Sequence, residues 1–326
     1  MNEERPADRH RCCRMTVKPT TITPEGGAAT VERLVERVQA RRSELDEALL
    51  ASGALLFRGF AIESPADFSA VVASLAGAGL REYAGGASPR RSLGSKGPIY
   101  NSTDYPPHLE LSLHNELSYS DAYPDRIYFG CLVAPSSGGA TTLGDSRRIL
   151  EAMPDDVRRA FAKGVQYVRL LGPEKGSGYS WQDAFRTDRR IEAEELCRRS
   201  GADWQWLDDG CLRVMQRRPA TVRHPLTGEE VWFNQAVGFH PQSLDPASYA
   251  ELIAPTGDES RFRLNVRFAD GSPIAAEMIA RVSEVLRREA VPHRWQAGDL
   301  LMLDNLLVAH GREPFTGERS IAVAMS

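Results

Sequence analysis

Cysteine is sparse in this 326-residue chain and shows no pairing pattern. The five, Cys12, Cys13, Cys131, Cys197 and Cys211, are odd in number and contain no C-x2-C. A disulfide framework or a thiolate zinc site is therefore not indicated, and reduced thiols are expected. No apolar run reaches the roughly 18 residues needed to span a bilayer. The first residues, MNEERPADRHRCCRMTVKPT, lack the apolar stretch of a secretory signal. Residues 1–25 are expected to form a disordered or poorly ordered tail, and the protein is expected to be cytoplasmic. Lysine is nearly missing, 4 against 36 arginines, which reads as codon bias. Positive charge is not in excess: 40 basic side chains face 44 acidic ones, for a net charge of -4. That balance argues against a nucleic acid or an anionic membrane as partner. Internal repeats, low-complexity tracts and the H-E-x-x-H helix of zinc hydrolases are also missing.

What is present is a globular composition, 42% hydrophobic with 27 Gly and 20 Pro. The chain is long enough for two domains, yet β-rich enzymes of this length often form one, and residues 26–326 are read as a single domain. Val31, Leu34, Val35 and Val38 recur at helix spacing. GALLFRGFAI (53–62) reads as a buried strand. Ser64 with Pro65 and Asp67 marks a capped helix start. The stretch 84–107 is irregular, and loops this long inside a domain are usually functional or disordered. RIYFGCLVAP, TTLGD and VQYVRLLG read as strands. Residues 173–210 interrupt the β pattern with a short helix, read as capped by Asp188 and ended by Gly201. LRVMQRRPATVRHP and EEVWFNQAVGFH are two further strands across a Pro-Leu-Thr-Gly turn. A helix over 275–290 and short strands complete the chain. The fold class is mainly β with helices: a double-stranded β-helix (jelly roll) core, N-terminal helices and a helical insertion at about 173–210.

His114-Asn115-Glu116 and the distant His310 carry the chemistry. Two imidazoles and a carboxylate are the 2-His-1-carboxylate set that holds non-haem Fe(II) on one face and leaves the other open. In extended chain, residues i and i+2 point to one side, so His114 and Glu116 can grip one ion from a strand end. H-x-E alone is weak evidence, because a His beside a Glu is more often a surface pair. A zinc hydrolase could use the same three ligands with a bound water.

The surroundings narrow the choice. PDRIYFGCLVAPSSGGAT (124–141), YSWQDAF (179–185), RHPLTGEEVWFNQ (223–235) and WQAGDLLMLDNLLVAHGREPFTGER (295–319) accompany the H-N-E. Together these resemble the TauD/TfdA-type 2-oxoglutarate-dependent dioxygenases of the clavaminate-synthase-like superfamily, and within them a SyrP-like branch, over roughly residues 28–326. The resemblance implies that His114, Glu116 and His310 are metal ligands and catalytic residues. It implies Fe(II), 2-oxoglutarate and O2 as cofactors, with 2-oxoglutarate oxidised to succinate and CO2. It further implies that Arg319 and Thr141 bind the distal carboxylate of 2-oxoglutarate. Guanidinium suits that task because it forks two hydrogen bonds onto a carboxylate. Arg312 is the alternative, but lies only two residues past His310.

The implied reaction is hydroxylation of an unactivated C–H in an amino acid or amino-acid-derived intermediate of natural-product biosynthesis, free or tethered to a carrier protein. Desaturation or cyclisation by the same chemistry is the alternative. Glu116 argues against a halogenase, since chloride needs the place the carboxylate fills. Asn101, Glu110 and Ser112 are candidate substrate contacts, the last two on the face of His114 if the segment is extended. His108, His224 and His240 read as structural. Arg90 and Arg91 could neutralise an acidic substrate, with a solvated loop as the default reading.

Overall fold

The computed structural model describes residues 17–26, 29–77, 79–82, 90–93, 98–102, 105–177, 179–244, 249 and 262–326. Among them the chain is mainly β with helices. Two sheets position the site. One has six strands in the order Thr20–Ile22, Ala54–Phe57, Leu300–Asp304, Arg126–Val133, Ser320–Met325 and Tyr100–Asn101. The other has four, in the order Val291–His293, Thr141–Asp145, Val308–Arg312 and Leu111–His114.

The central strands of the larger sheet are buried on both faces, and the strand period of two divides their side chains. Ile127, Phe129, Cys131, Leu301 and Leu303 join one apolar cluster with Leu143 and Val308 of the smaller sheet. Tyr128, Leu300 and Met302 face the opposite way, onto Leu34, Phe68 and Val72 of the N-terminal helices. Those helices follow from their sequence. Val31–Ala40 buries Leu34 and Val38. Pro65–Ala76 begins at Ser64, whose hydroxyl accepts from Asp67 N while the Asp67 carboxylate accepts from Ser64 N. Its Phe68 lies so close to the central strand that a Cβ at Gly130 would sit 2.4 Å from the ring. Any larger residue at 130 would push this helix off the sheet.

A second four-stranded sheet, in the order Leu264–Phe268, Val165–Leu171, Leu212–Arg218 and Asp203–Trp206, stands beside this pair. Trp181–Phe185 and Arg190–Arg199 pack on its outer part through Leu171, Trp181, Cys197 and Leu212. Ala276–Glu289 buries Ile279, Val282, Val285 and Leu286 against the smaller sheet's neighbourhood.

Several local expectations need correcting. Thr20–Ile22 pairs in parallel with Leu55–Phe57, inside the stretch 1–25 expected to be tail. Three residues are too few to give a periodic signal. Residues 1–16 lie outside the described residues. The helix Arg190–Arg199 is preceded by Arg189, not capped by Asp188, whose carboxylate pairs with Lys175 at 2.7 Å. The segment EEVWFNQAVGFH is a strand only over Glu230–Trp232 and turns helical over Ala236–Phe239. Asn234 ends the strand: its side chain bonds the carbonyl of Ala220 and accepts from Ala236 N.

Candidate metal centre

His114 and His310 face each other across two antiparallel strands of the smaller sheet, as a direct cross-strand pair. Their ring centroids are 4.4 Å apart. The pairing is irregular between His310 and Arg312, and Gly311 makes this possible. A Cβ there would lie 2.4 Å from the Leu111 carbonyl and 2.6 Å from Thr142 Oγ1. Only glycine lets the two strands approach closely enough to bring the imidazoles together.

Glu116 reaches the same point by a different route than the alternation of an extended strand. The strand ends at His114, and Glu116 stands in the turn that follows. Leu117 has φ +54°, a left-handed conformation uncommon for a leucine. Asn305, from the tight connection between Leu300–Asp304 and Val308–Arg312, holds this turn. Its Oδ1 accepts from Glu116 N at 2.8 Å. Its Nδ2 donates to the carbonyls of Glu116 at 3.0 Å and Pro124 at 2.8 Å. Asn115 in turn donates to the Asn305 carbonyl at 2.7 Å. The motif's middle residue and a buried asparagine 190 positions later thus fix the carboxylate. Asn305 stands in the C-terminal motif, Asp304-Asn305 ahead of His310, but the sequence gives it no role at Glu116.

The donor atoms of His114, Glu116 and His310 all lie within 4.8 Å of one another. His310 Nε2 is 3.7 Å from Glu116 Oε2. His114 Nδ1 is 2.9 Å from the Ser112 carbonyl. That contact requires the proton on Nδ1 and leaves the Nε2 lone pair for a metal. Burial, reinforced by His310, pushes the His114 imidazole down to about 4, so it is neutral at physiological pH. Burial works to raise the Glu116 carboxyl, but Arg90 and the two histidines overcome it and hold it well below the usual carboxylate range. Two imidazoles and one ionised carboxylate in a buried cluster fit a divalent cation.

A narrow cavity of about 40 Å³ opens beside the triad, and its lining includes His114, His310, Phe129, Thr141, Arg90, Arg312 and Arg319. Thr141 is buried and its Oγ1 accepts from Trp295 Nε1 at 3.0 Å. Arg319 precedes the strand Ser320–Met325 and is held by the Gly139 carbonyl (3.2 Å) and the Ser102 hydroxyl (3.3 Å). Burial, and after it the nearby Arg312, pushes its pKa down to about 10. Arg312 is committed elsewhere. Its guanidinium donates to the carbonyls of Tyr105, Pro106 and Leu109 at 2.7–3.0 Å.

The other candidates disperse. Asn101 sits in the strand Tyr100–Asn101, where its Oδ1 accepts from Arg91 N at 2.6 Å, and it lines an outer groove rather than the cavity. Ser112 meets His114 through its carbonyl, and neither Ser112 nor Glu110 lines the cavity. His224 is structural as expected, 3.1 Å from Asp304 Oδ2, and His240 accepts from Gln242 N. His108 forms no part of the metal cluster. The departure that matters most is Arg90. The default of a solvated loop fails: its Nη2 is 2.7 Å from Glu116 Oε2, with both side chains nearly excluded from solvent.

A buried, preorganised pair of imidazoles with one carboxylate, opening onto an arginine-lined cavity, defines a mononuclear metal enzyme of the facial-triad class. The chain belongs to the taurine catabolism dioxygenase TauD, TfdA family, whose model matches residues 18–325. It is 36% identical to the dapdiamide synthesis protein DdaC of Enterobacter agglomerans, over 86% of this chain and 84% of that one. It is 30% identical to a clavaminate synthase-like protein of Arabidopsis thaliana, over 94% and 93% of the two chains. Among solved structures it shares its fold with PvcB of Pseudomonas aeruginosa (TM-score 0.53, 16% identity, 95% of this chain and 86% of that one). It also shares its fold with an asparagine oxygenase in complex with Fe(II), 3-hydroxyasparagine and succinate (TM-score 0.53, 14% identity, 94% and 92%). The protein is a non-haem Fe(II)- and 2-oxoglutarate-dependent dioxygenase with O2 as co-substrate, and His114, Glu116 and His310 are its triad. No helix among the described residues is long and apolar enough to cross a membrane.

Proposed function

We propose that the enzyme hydroxylates an unactivated C–H of an amino acid or amino-acid-derived intermediate in natural-product biosynthesis, free or presented on a carrier protein. The likeness to DdaC, a protein of dapdiamide synthesis, over most of both chains carries this reading. Glu116 supports oxygenation over halogenation, because its carboxylate fills the position that chloride needs. The test is incubation of candidate amino acids with the enzyme, Fe(II), 2-oxoglutarate and O2, read by mass spectrometry. Gain of one oxygen atom, coupled to succinate, is the expected result. Loss of two hydrogens without oxygen gain would assign desaturation or cyclisation instead.

On the same footing, Arg319 and Thr141 bind the distal carboxylate of 2-oxoglutarate. In support, Arg319 pairs with no carboxylate among the described residues, lines the cavity next to the triad and has its charge disfavoured by burial and by Arg312. A dianionic acid would relieve both effects. The bonds that Arg312 already makes favour Arg319 over it. When bound, iron with 2-oxoglutarate supplies the oxidising chemistry. The chain's own part is to hold it and to exclude water: Phe129 packs edge-on to His310 at 5.2 Å, and the strand Val308–Arg312, which lines the cavity through His310, Gly311 and Arg312, is buried throughout. We further read the six- and four-stranded sheets as the two halves of a jelly roll, residues 26–326 as one domain with an insertion at about 173–210, and the enzyme as cytoplasmic.

A further inference from the structure

Gln235 closes the segment RHPLTGEEVWFNQ (223–235) and belongs neither to the triad nor to the lining of the cavity beside it. Its side chain nevertheless reaches the metal centre: Nε2 donates to the Asn115 carbonyl at 2.9 Å. That carbonyl and the Glu116 N–H belong to one peptide unit, the one that joins the middle residue of the motif to its carboxylate ligand. The N–H end of this unit donates to Asn305 Oδ1 at 2.8 Å. A planar peptide is thus gripped at both ends, by side chains from two distant segments. The turn's own bond to the same carbonyl, from Ser118 N, is 3.3 Å, long for an amide donor. The turn by itself therefore holds this peptide weakly.

Gln235 is itself built into place. Its backbone N–H donates to the Tyr167 hydroxyl oxygen at 2.8 Å, and its carbonyl accepts from Phe239 N at 3.0 Å. Asn234 before it is fixed by the bonds that end its strand. Tyr167 is buried in the strand Val165–Leu171 and packs edge-on to Phe239, with ring centroids 4.8 Å apart. We propose that Gln235 is a positioning residue for Glu116, acting through the Asn115 carbonyl, and that Tyr167 sets its orientation. Rotation of the Asn115–Glu116 peptide changes ψ of Asn115 and φ of Glu116, which swings the carboxylate relative to both imidazoles. A metal site tolerates misplacement of a ligand atom by only a few tenths of an ångström, so groups that lock the peptide act on the metal. Asn305 holds the N–H end of this unit, and Gln235 holds the other. The second four-stranded sheet, which carries Tyr167, thereby takes part in holding the metal centre although it supplies none of the three ligands. The inference rests on the triad and on no assignment of the substrate.

The test is Mn(II) titration followed by electron paramagnetic resonance, on wild type, Gln235→Met, Tyr167→Phe and the double variant. Gln235→Met keeps the length of the side chain and removes the donor. It should weaken Mn(II) binding by about two- to tenfold, the worth of one neutral hydrogen bond, and alter the line shape of the bound ion. Tyr167→Phe should weaken binding less, and should add nothing in the Gln235→Met background, because the orientation it sets no longer matters there. Val38→Ala, in the apolar cluster of the N-terminal helices, is the comparator: it should lower Tm and leave Mn(II) affinity and line shape as in wild type. Wild-type affinity and line shape in folded Gln235→Met would overturn the proposal. So would an equal loss in Val38→Ala, which would make the effect one of stability alone. Additive losses in the double variant would remove the part given to Tyr167. Failure of wild type to bind Mn(II) would remove the triad itself, and the proposal with it. Should Gln235→Met not fold, Gln235→Asn, which withdraws the amide by one methylene, takes its place with the same expected result.

Discussion

Replacing Arg319 by alanine should raise the KM for 2-oxoglutarate far more than it changes Fe(II) affinity. The magnitude follows from position. Arg319 is largely buried, its charge is disfavoured by burial and by Arg312, and among the described residues a carbonyl and a hydroxyl hold it. Truncating one partner of a desolvated guanidinium–carboxylate pair costs about 2–5 kcal/mol, which is roughly 30-fold or more in affinity. Arg319→Lys should recover part of this, since an ammonium cannot present a planar fork. Thr141→Val should cost less, about 1.5–3 kcal/mol for one bond to a charged acceptor. It should also lower stability, because it strands the Trp295 N–H now bonded to Thr141 Oγ1. Arg312→Ala should behave differently. It deletes bonds to three backbone carbonyls, so it should lower Tm with a smaller effect on 2-oxoglutarate than Arg319→Ala. The assay is succinate formation against 2-oxoglutarate concentration, with metal affinity measured in parallel. An unchanged KM in Arg319→Ala with a sharp rise in Arg312→Ala would refute the assignment and move the anchor to Arg312.

Other outcomes follow from the same geometry. Asn305→Ala removes the amide that holds the Glu116 turn, and should weaken Fe(II) binding and lower Tm together; intact metal affinity in a folded Asn305→Ala protein would show that the turn holds itself. His114→Ala should abolish turnover while the fold survives, checked by circular dichroism alongside succinate release; full activity would remove His114 from the triad. Metal-free protein should lose stability as pH falls. His114 and His293 are each pushed down to about 4 from an ordinary value of 6.5, so the unfolded chain takes up protons first. Their effect is nil above pH 6.5 and grows as pH falls towards 4, at up to about 1.4 kcal/mol per pH unit for each. The depressed Glu116 carboxyl acts in the same direction at lower pH. Urea titrations of metal-free protein near neutral pH and at mildly acid pH read this directly, and equal midpoints would contradict it.

Much of this site was legible before any coordinates, and the reasons are physical. Metal ligation needs particular residue types, so H-x-E with a distant His is visible in the chain. Strands buried on both faces, such as Arg126–Val133 and Leu300–Asp304, read as apolar runs. Ser64, Pro65 and Asp67 are a local capping code and read correctly. What was not legible depends on contacts between distant segments. Asn305 is one polar residue in a turn until the fold sets it against Glu116. Arg90 is indistinguishable from Arg91 in sequence, yet one guanidinium reaches the metal centre while the other residue's backbone N–H bonds Asn101. Alternation places His114 and Glu116 together at a strand end, but the strand stops at His114 and Glu116 arrives from a turn with a left-handed leucine. Local periodicity cannot foresee a conformation that a distant asparagine stabilises.

The most direct test of the account is anaerobic equilibrium dialysis of Fe(II) against wild type, Glu116→Ala and His310→Ala. One tightly held ion per wild-type chain is expected, and loss of that ion in both variants, with their far-ultraviolet circular dichroism preserved. Undiminished Fe(II) binding in either folded variant would contradict the facial triad on which every other step depends.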